Sequence, residues 1–135
     1  MKQNNLLRIY LSILFLSCGG SMNSKFSWRK LDNIAKIFSI DDKDNMNIFR
    51  YTIFLRKNID KYKLRQALKE TLKVYSFFKV KMNKGFFWNY LVFNNEEPVI
   101  DNEKNPKHYI DFNKNNDYLF RVTYFENIIY LDETY

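Results

Sequence analysis

The chain has little of what most enzyme sites are built from. One cysteine (Cys18) and one histidine (His108) occur in 135 residues. A lone cysteine excludes an internal disulfide and any cysteine-based metal cluster. A lone histidine leaves little for a histidine metal site. With only 3 Gly and 2 Pro, the chain has few sharp turns and no Gly-rich phosphate loop, because Gly19-Gly20 and Gly85 are all the glycine there is. No apolar run is long enough to span a bilayer; the longest near the start, Ile9 to Leu16, is too short. Acidic residues are scarce in the first part. Residues 1–91 hold 18 Lys/Arg and 6 Asp/Glu, whereas residues 92–135 hold 4 and 9. The net charge of +7 therefore conceals a strongly basic part and an acidic one. Basic charge of this kind fits an anionic partner or a solvated lysine-rich surface.

What is present argues for a packed domain. Hydrophobic residues make up 46% and aromatic residues 19%, too much for a disordered chain. Residues 1–21 read as a leader or as an extension ahead of a start at Met22. Lys2 and Arg8 precede the apolar run, and Ser17-Cys18-Gly19-Gly20 follows it. That order is similar to a bacterial lipoprotein signal, in which Cys18 would carry the lipid. Residues 22–135 then form the domain.

Leu31, Ile34, Ala35 and Phe38 permit a short helical turn. Asn47 to Arg56 reads as a strand, with Phe49, Tyr51, Ile53 and Leu55 on one face and Ile48 and Phe54 on the other. Ile59 to Phe77 is the clearest helix. Leu64, Ala67, Leu68, Thr71, Leu72 and Tyr75 make one stripe, and Asn58 or Asp60 caps its start. Lys79 to Met82 is a short strand and Asn83-Lys84-Gly85 a turn. Phe86 to Phe93 is apolar on both faces, as in a central strand, which makes Phe86, Trp88 and Tyr90 core residues rather than a base-stacking platform. Residues 94–117 form a long polar loop with a short strand at Val99-Ile100. Asp117 to Tyr135 is a hairpin broken at Glu126-Asn127, with Asn127 the residue suited to positive φ.

No catalytic constellation emerges. Asp111 follows His108 by three residues and could orient an imidazole, but no nucleophile stands near. The expected site residues are therefore none for catalysis and none for a metal.

A resemblance runs through the segments Trp28 to Phe38, Phe49-Arg50, Leu64-Arg65-Gln66-Ala67-Leu68, Phe78 to Lys81 and Gly85 to Leu91. It continues through Asn105-Pro106, Asp111-Phe112, Asn115-Asn116 and Leu119 to Val122. In order and spacing these resemble the N-terminal part of bacterial alcohol acetyltransferase-like proteins, within the superfamily of chloramphenicol acetyltransferases and condensation domains. The likeness covers about residues 26–131. It implies an α/β fold, a partial lobe with a mixed sheet and one main helix. It implies acyl transfer from acetyl-CoA or another acyl-CoA to a small hydroxyl acceptor, in a tunnel shared with a C-terminal lobe.

The family's general base is the histidine of His-x-x-x-Asp-Gly, reached just after the strand matching Ile128 to Leu131. Here the register puts Tyr135 near that histidine, and four residues after His108 stands Phe112. The resemblance thus carries over no catalytic or cofactor-binding residue, and it implies an N-terminal fragment inactive by itself. Acetyl-CoA is cytoplasmic, so the enzyme reading implies a cytoplasmic protein starting at Met22. The alternatives are a binding or structural domain anchored to the membrane through Cys18, and a small basic nucleic-acid-binding module.

Overall fold

A computed structural model describes residues 8, 9, 11, 12, 28–30, 48–87, 89–105 and 110–134. The expected helical turn at Leu31 to Phe38 lies outside these, as do Cys18, Trp88, His108 and Tyr135.

The chain is α/β, with one main helix and a mixed sheet. Strands β1 (Trp28–Lys30) and β2 (Ile48–Phe54) precede helix α1 (Lys61–Val74). Then come β3 (Val80–Lys84), β4 (Asn89–Phe93), β5 (Ile100–Asn102), β6 (Phe120–Phe125) and β7 (Ile128–Thr134). Two sheets form, of order β1-β4-β3 and β2-β7-β6-β5. In the second, β2, β7 and β6 are antiparallel and β5 joins β6 in parallel.

Helix α1 forms where its stripe predicts. Asp60 caps the N-terminus, its carboxylate accepting from the amides of Tyr62 (2.9 Å) and Lys63 (3.2 Å). Leu64, Ala67, Leu68, Thr71 and Leu72 are buried. The Thr71 hydroxyl donates to the Ala67 carbonyl at 2.8 Å, which satisfies it inside the apolar layer. The stripe packs on one face of the four-stranded sheet, against Ile100, Phe120, Val122, Ile129 and Leu131. Tyr51 and Ile53 of β2 border this core, with Leu55 just past the strand. Leu11, one of the helical residues near the start, is also buried in it.

Four expectations are corrected. The apolar run from Phe86 is not one buried strand. β3 continues through Asn83 to Lys84, which pairs with Asn89, so residues 85–87 lie in the connection. Phe86 is 95% exposed and Phe87 81% exposed, the two rings meeting edge to face at 4.7 Å. β4 is central in its sheet, yet Asn89 to Val92 are only partly buried and Phe93 is exposed. The expected turn at Asn83-Lys84-Gly85 accordingly shifts toward the C-terminus. In the closing hairpin Glu126, not Asn127, takes positive φ, at 50°. Positive φ at the first central position alone is the type II′ pattern.

Asn127 acts instead through its side chain. Its Nδ2 donates to the Leu55 carbonyl at 2.8 Å, while the amides of Leu55 and Ile59 donate to the carbonyls of Asn127 and Glu126, each at 2.8 Å. The hairpin tip thereby fixes the path from β2 into α1.

Candidate functional site

The most concentrated chemistry lies on the face of the four-stranded sheet turned away from α1. Side chains alternate along a strand. Phe120, Val122 and Leu131 enter the core, so Arg121, Thr123 and Asp132 emerge on the other side. Register then brings the charges together. Asp132, on β7, stands directly opposite Arg50 on β2 and Arg121 on β6.

Asp132 is fully buried. Its Oδ1 accepts from Arg50 Nε at 2.6 Å, and its Oδ2 accepts from Arg50 Nη2 at 2.8 Å. Oδ2 also accepts from Arg121 Nε at 3.0 Å and Nη2 at 2.5 Å. Glu103, just past β5, accepts from Arg50 Nη2 at 2.9 Å through Oε1 and from the Thr123 hydroxyl through Oε2. The Arg50 guanidinium also lies 4.6 Å over the Tyr130 ring.

Hydrogen bonds to Asp132, and secondarily to Glu103, hold the Arg50 guanidinium protonated well above its ordinary range, against the opposing effect of burial. Two cations meet two carboxylates, so the set is electroneutral. Every carboxylate oxygen in it has at least one donor. An oxygen so engaged is poorly placed to take a proton from a substrate. The set is suited to fixing register, since a slip of one residue would leave buried charges without partners.

Two shallow hollows among the described residues lie near these charges and the helix. One, of about 190 Å³, lies between α1 and residues 95–98. Leu68 and Leu72 line it with Arg65, Lys69, Lys79 and Glu97. Glu97 already receives Arg65 and Lys69, each at 3.0 Å. The Lys69 hydrogen bond, with Lys69 and Arg65 charge behind it, lowers the Glu97 carboxyl below its usual range. The other hollow, about 50 Å³, lies beside Asp101, Asp111, Arg121 and Thr123. Both are below the roughly 300–1,000 Å³ of a small-molecule pocket, and neither could enclose a CoA.

Of the residues singled out from sequence, Asp111 lies 3.8 Å from Lys114. Whether it meets His108 falls outside the described residues, as does any role of Cys18. Among the described residues no group of His, Cys, Asp or Glu could hold a metal ion. Sequence reasoning missed the Arg50–Asp132–Arg121–Glu103 set. Its signal was present as single charges interrupting apolar strands, but their convergence depends on a strand order that periodicity does not give.

No family model, curated protein or solved structure matches this chain.

Proposed function

We propose that this chain is a scaffold portion of a CoA-dependent acyltransferase of the alcohol acetyltransferase-like kind. Its co-substrates would be acetyl-CoA or another acyl-CoA and a small hydroxyl acceptor, and it would work in the cytoplasm where acetyl-CoA is found. The residue series from Trp28 to Val122 supports the family, and the mixed sheet with one main helix agrees with its coarse class. The observation that carries the scaffold role is the saturation of the Asp132 and Glu103 carboxylates. Asp132 and Glu103 are engaged by Arg50, Arg121 and Thr123, so none of this set serves as the base that an acceptor hydroxyl needs.

In this reading the proton is taken by the histidine of a His-x-x-x-Asp-Gly segment, as the acceptor oxygen attacks the thioester carbonyl and CoA leaves as the thiol. Residues 1–135 contain no such segment, and a C-terminal lobe would supply it together with the rest of the tunnel. General-base assistance is typically worth about 10² to 10⁴-fold, and positioning adds to it.

The test follows CoA thiol release from acetyl-CoA with simple alcohols. The 135-residue chain is expected to match a buffer blank. A reading frame extended through the DNA after codon 135 is expected to contain the motif and to turn over. Turnover by the 135-residue chain that His108→Ala abolishes would overturn the scaffold role. The absence of the motif in every downstream frame would overturn the family reading.

A further inference from the structure

The tip joining β3 to β4 has a composition and exposure that the acyltransferase reading does not use. Phe86 and Phe87 stand side by side at 95% and 81% exposure. Paired apolar rings at a turn are unusual, because a turn is where a chain normally places polar residues. The flanking sequence carries one sign of charge: from residue 71 to residue 95 the chain has no acidic residue. Lys73 pairs with Glu70 at 2.8 Å and Lys79 lines a hollow with Glu96 and Glu97, so Lys81 and Lys84 of β3 are the cations that lead to the turn. Strand β1 pairs with β4 on its other side, with Lys30 in register with Tyr90 near the tip. Lys84, paired with Asn89, closes the strand pair directly before the turn.

We propose that this hairpin tip docks on an anionic lipid surface, with Phe86 and Phe87 entering the interfacial layer and Lys81 and Lys84 meeting the headgroups. The charge is complementary to anionic lipid, and the apolar rings project at the end of a strand pair rather than lying on a sheet face. The ring geometry disfavours a base-stacking platform. At 83° between planes, two neighbouring rings cannot each present a face to successive bases. Among the described residues no helix is long and apolar enough to cross a membrane, so the attachment proposed is peripheral.

The test uses the full chain carrying Cys18→Ser, which removes any lipid anchor, and cosedimentation with phosphatidylcholine vesicles with and without phosphatidylserine. Binding is expected only to the anionic vesicles and is expected to weaken as salt rises. Phe86→Ser with Phe87→Ser should weaken it roughly a hundred-fold, about ten-fold for each ring. Lys81→Gln with Lys84→Gln should weaken it roughly 25-fold, at about five-fold for each charge.

Unchanged thermal melts would show that these variants fold. Trp88, next in sequence to Phe87, gives a second readout in a Trp28→Phe background, with emission expected to shift to the blue on anionic vesicles. No binding to anionic vesicles, or binding indifferent to the rings, overturns the proposal. Binding to oligo-dT in place of vesicles, lost in the ring variant, would assign the tip to single-stranded nucleic acid. Self-association lost in that variant would assign it to a second copy. None of these measurements reads acetyl transfer, so their outcome and that of the enzyme reading remain separable.

Discussion

The four-stranded sheet carries two arginines and three acidic residues in its strands; the three-stranded sheet carries four basic residues and no acidic one. In the first, Asp132 is buried opposite Arg50 and Arg121. In the second, a pair of phenyl rings stands in solvent beside lysines. The first buries charges, although Phe49 and Phe54 of its edge strand β2 are exposed; the second exposes two rings at its turn. Partnering explains both. A buried charge is tolerable when its donors are fixed in place, and an exposed ring is tolerable when burial would require a neighbouring element.

The two sheets meet at Tyr118, whose backbone bridges to Lys81 of β3. Tyr118 is fully buried, and its hydroxyl donates to the Glu96 carbonyl at 2.6 Å. Asn residues brace the joint. Asn94 Nδ2 donates to the Asn116 carbonyl at 2.7 Å, and Asn115 Nδ2 donates to the carbonyls of Tyr118 and Phe120.

The largest effect should come from breaking the buried network. Asp132→Asn removes the charge that both arginines face, and loss of one partner from a buried pair typically costs about 3–5 kcal/mol. Denaturant unfolding is expected to show a lowered midpoint with little change in slope. A loss below about 1 kcal/mol would mean that the network is solvated and that the contrast between the sheets is overstated.

An intermediate effect tests the joint. Burial, with the charges of Glu96 and Glu97 behind it, pushes the Tyr118 phenol up to about 12 from 10.0. A raised value means that the folded state holds this proton more tightly than the unfolded state. The contribution is therefore complete below pH 10 and lost as pH rises to about 12. The loss should be about 2–3 kcal/mol. Stability measured across that window should fall more in the wild type than in Tyr118→Phe; equal slopes would place the phenol in water.

The smallest effect sharpens the other side of the comparison. Phe86→Ser and Phe87→Ser should leave stability within about 0.5 kcal/mol, as for exposed positions away from special features. A loss of several kcal/mol would return the rings to a core and remove the basis for lipid docking.

Helix α1 was the most legible element in the sequence. Its six-residue apolar stripe and its Asp60 cap are local signals, and local signals survive folding. The hairpin β6–β7 was legible for the same reason, through two β-rich runs around a two-residue break. The Phe86 to Phe93 run was misread because apolar character reports what a residue tolerates, whereas burial depends on what lies across from it. Lys84 pairing with Asn89 consigns Phe86 and Phe87 to the turn, and no property of the run itself decides that register.

The sequence by itself determined the class of fold, the position of the main helix, the closing hairpin and the segregation of charge between the two parts of the chain. These follow from short-range periodicity and composition. The tertiary structure alone decided that Arg50, Glu103, Arg121 and Asp132 meet on one sheet face, that Glu126 rather than Asn127 bends the hairpin, and that Phe86 and Phe87 face solvent. Arg50 and Asp132 are 82 residues apart, and only the pairing of β2 with β7 sets them opposite one another.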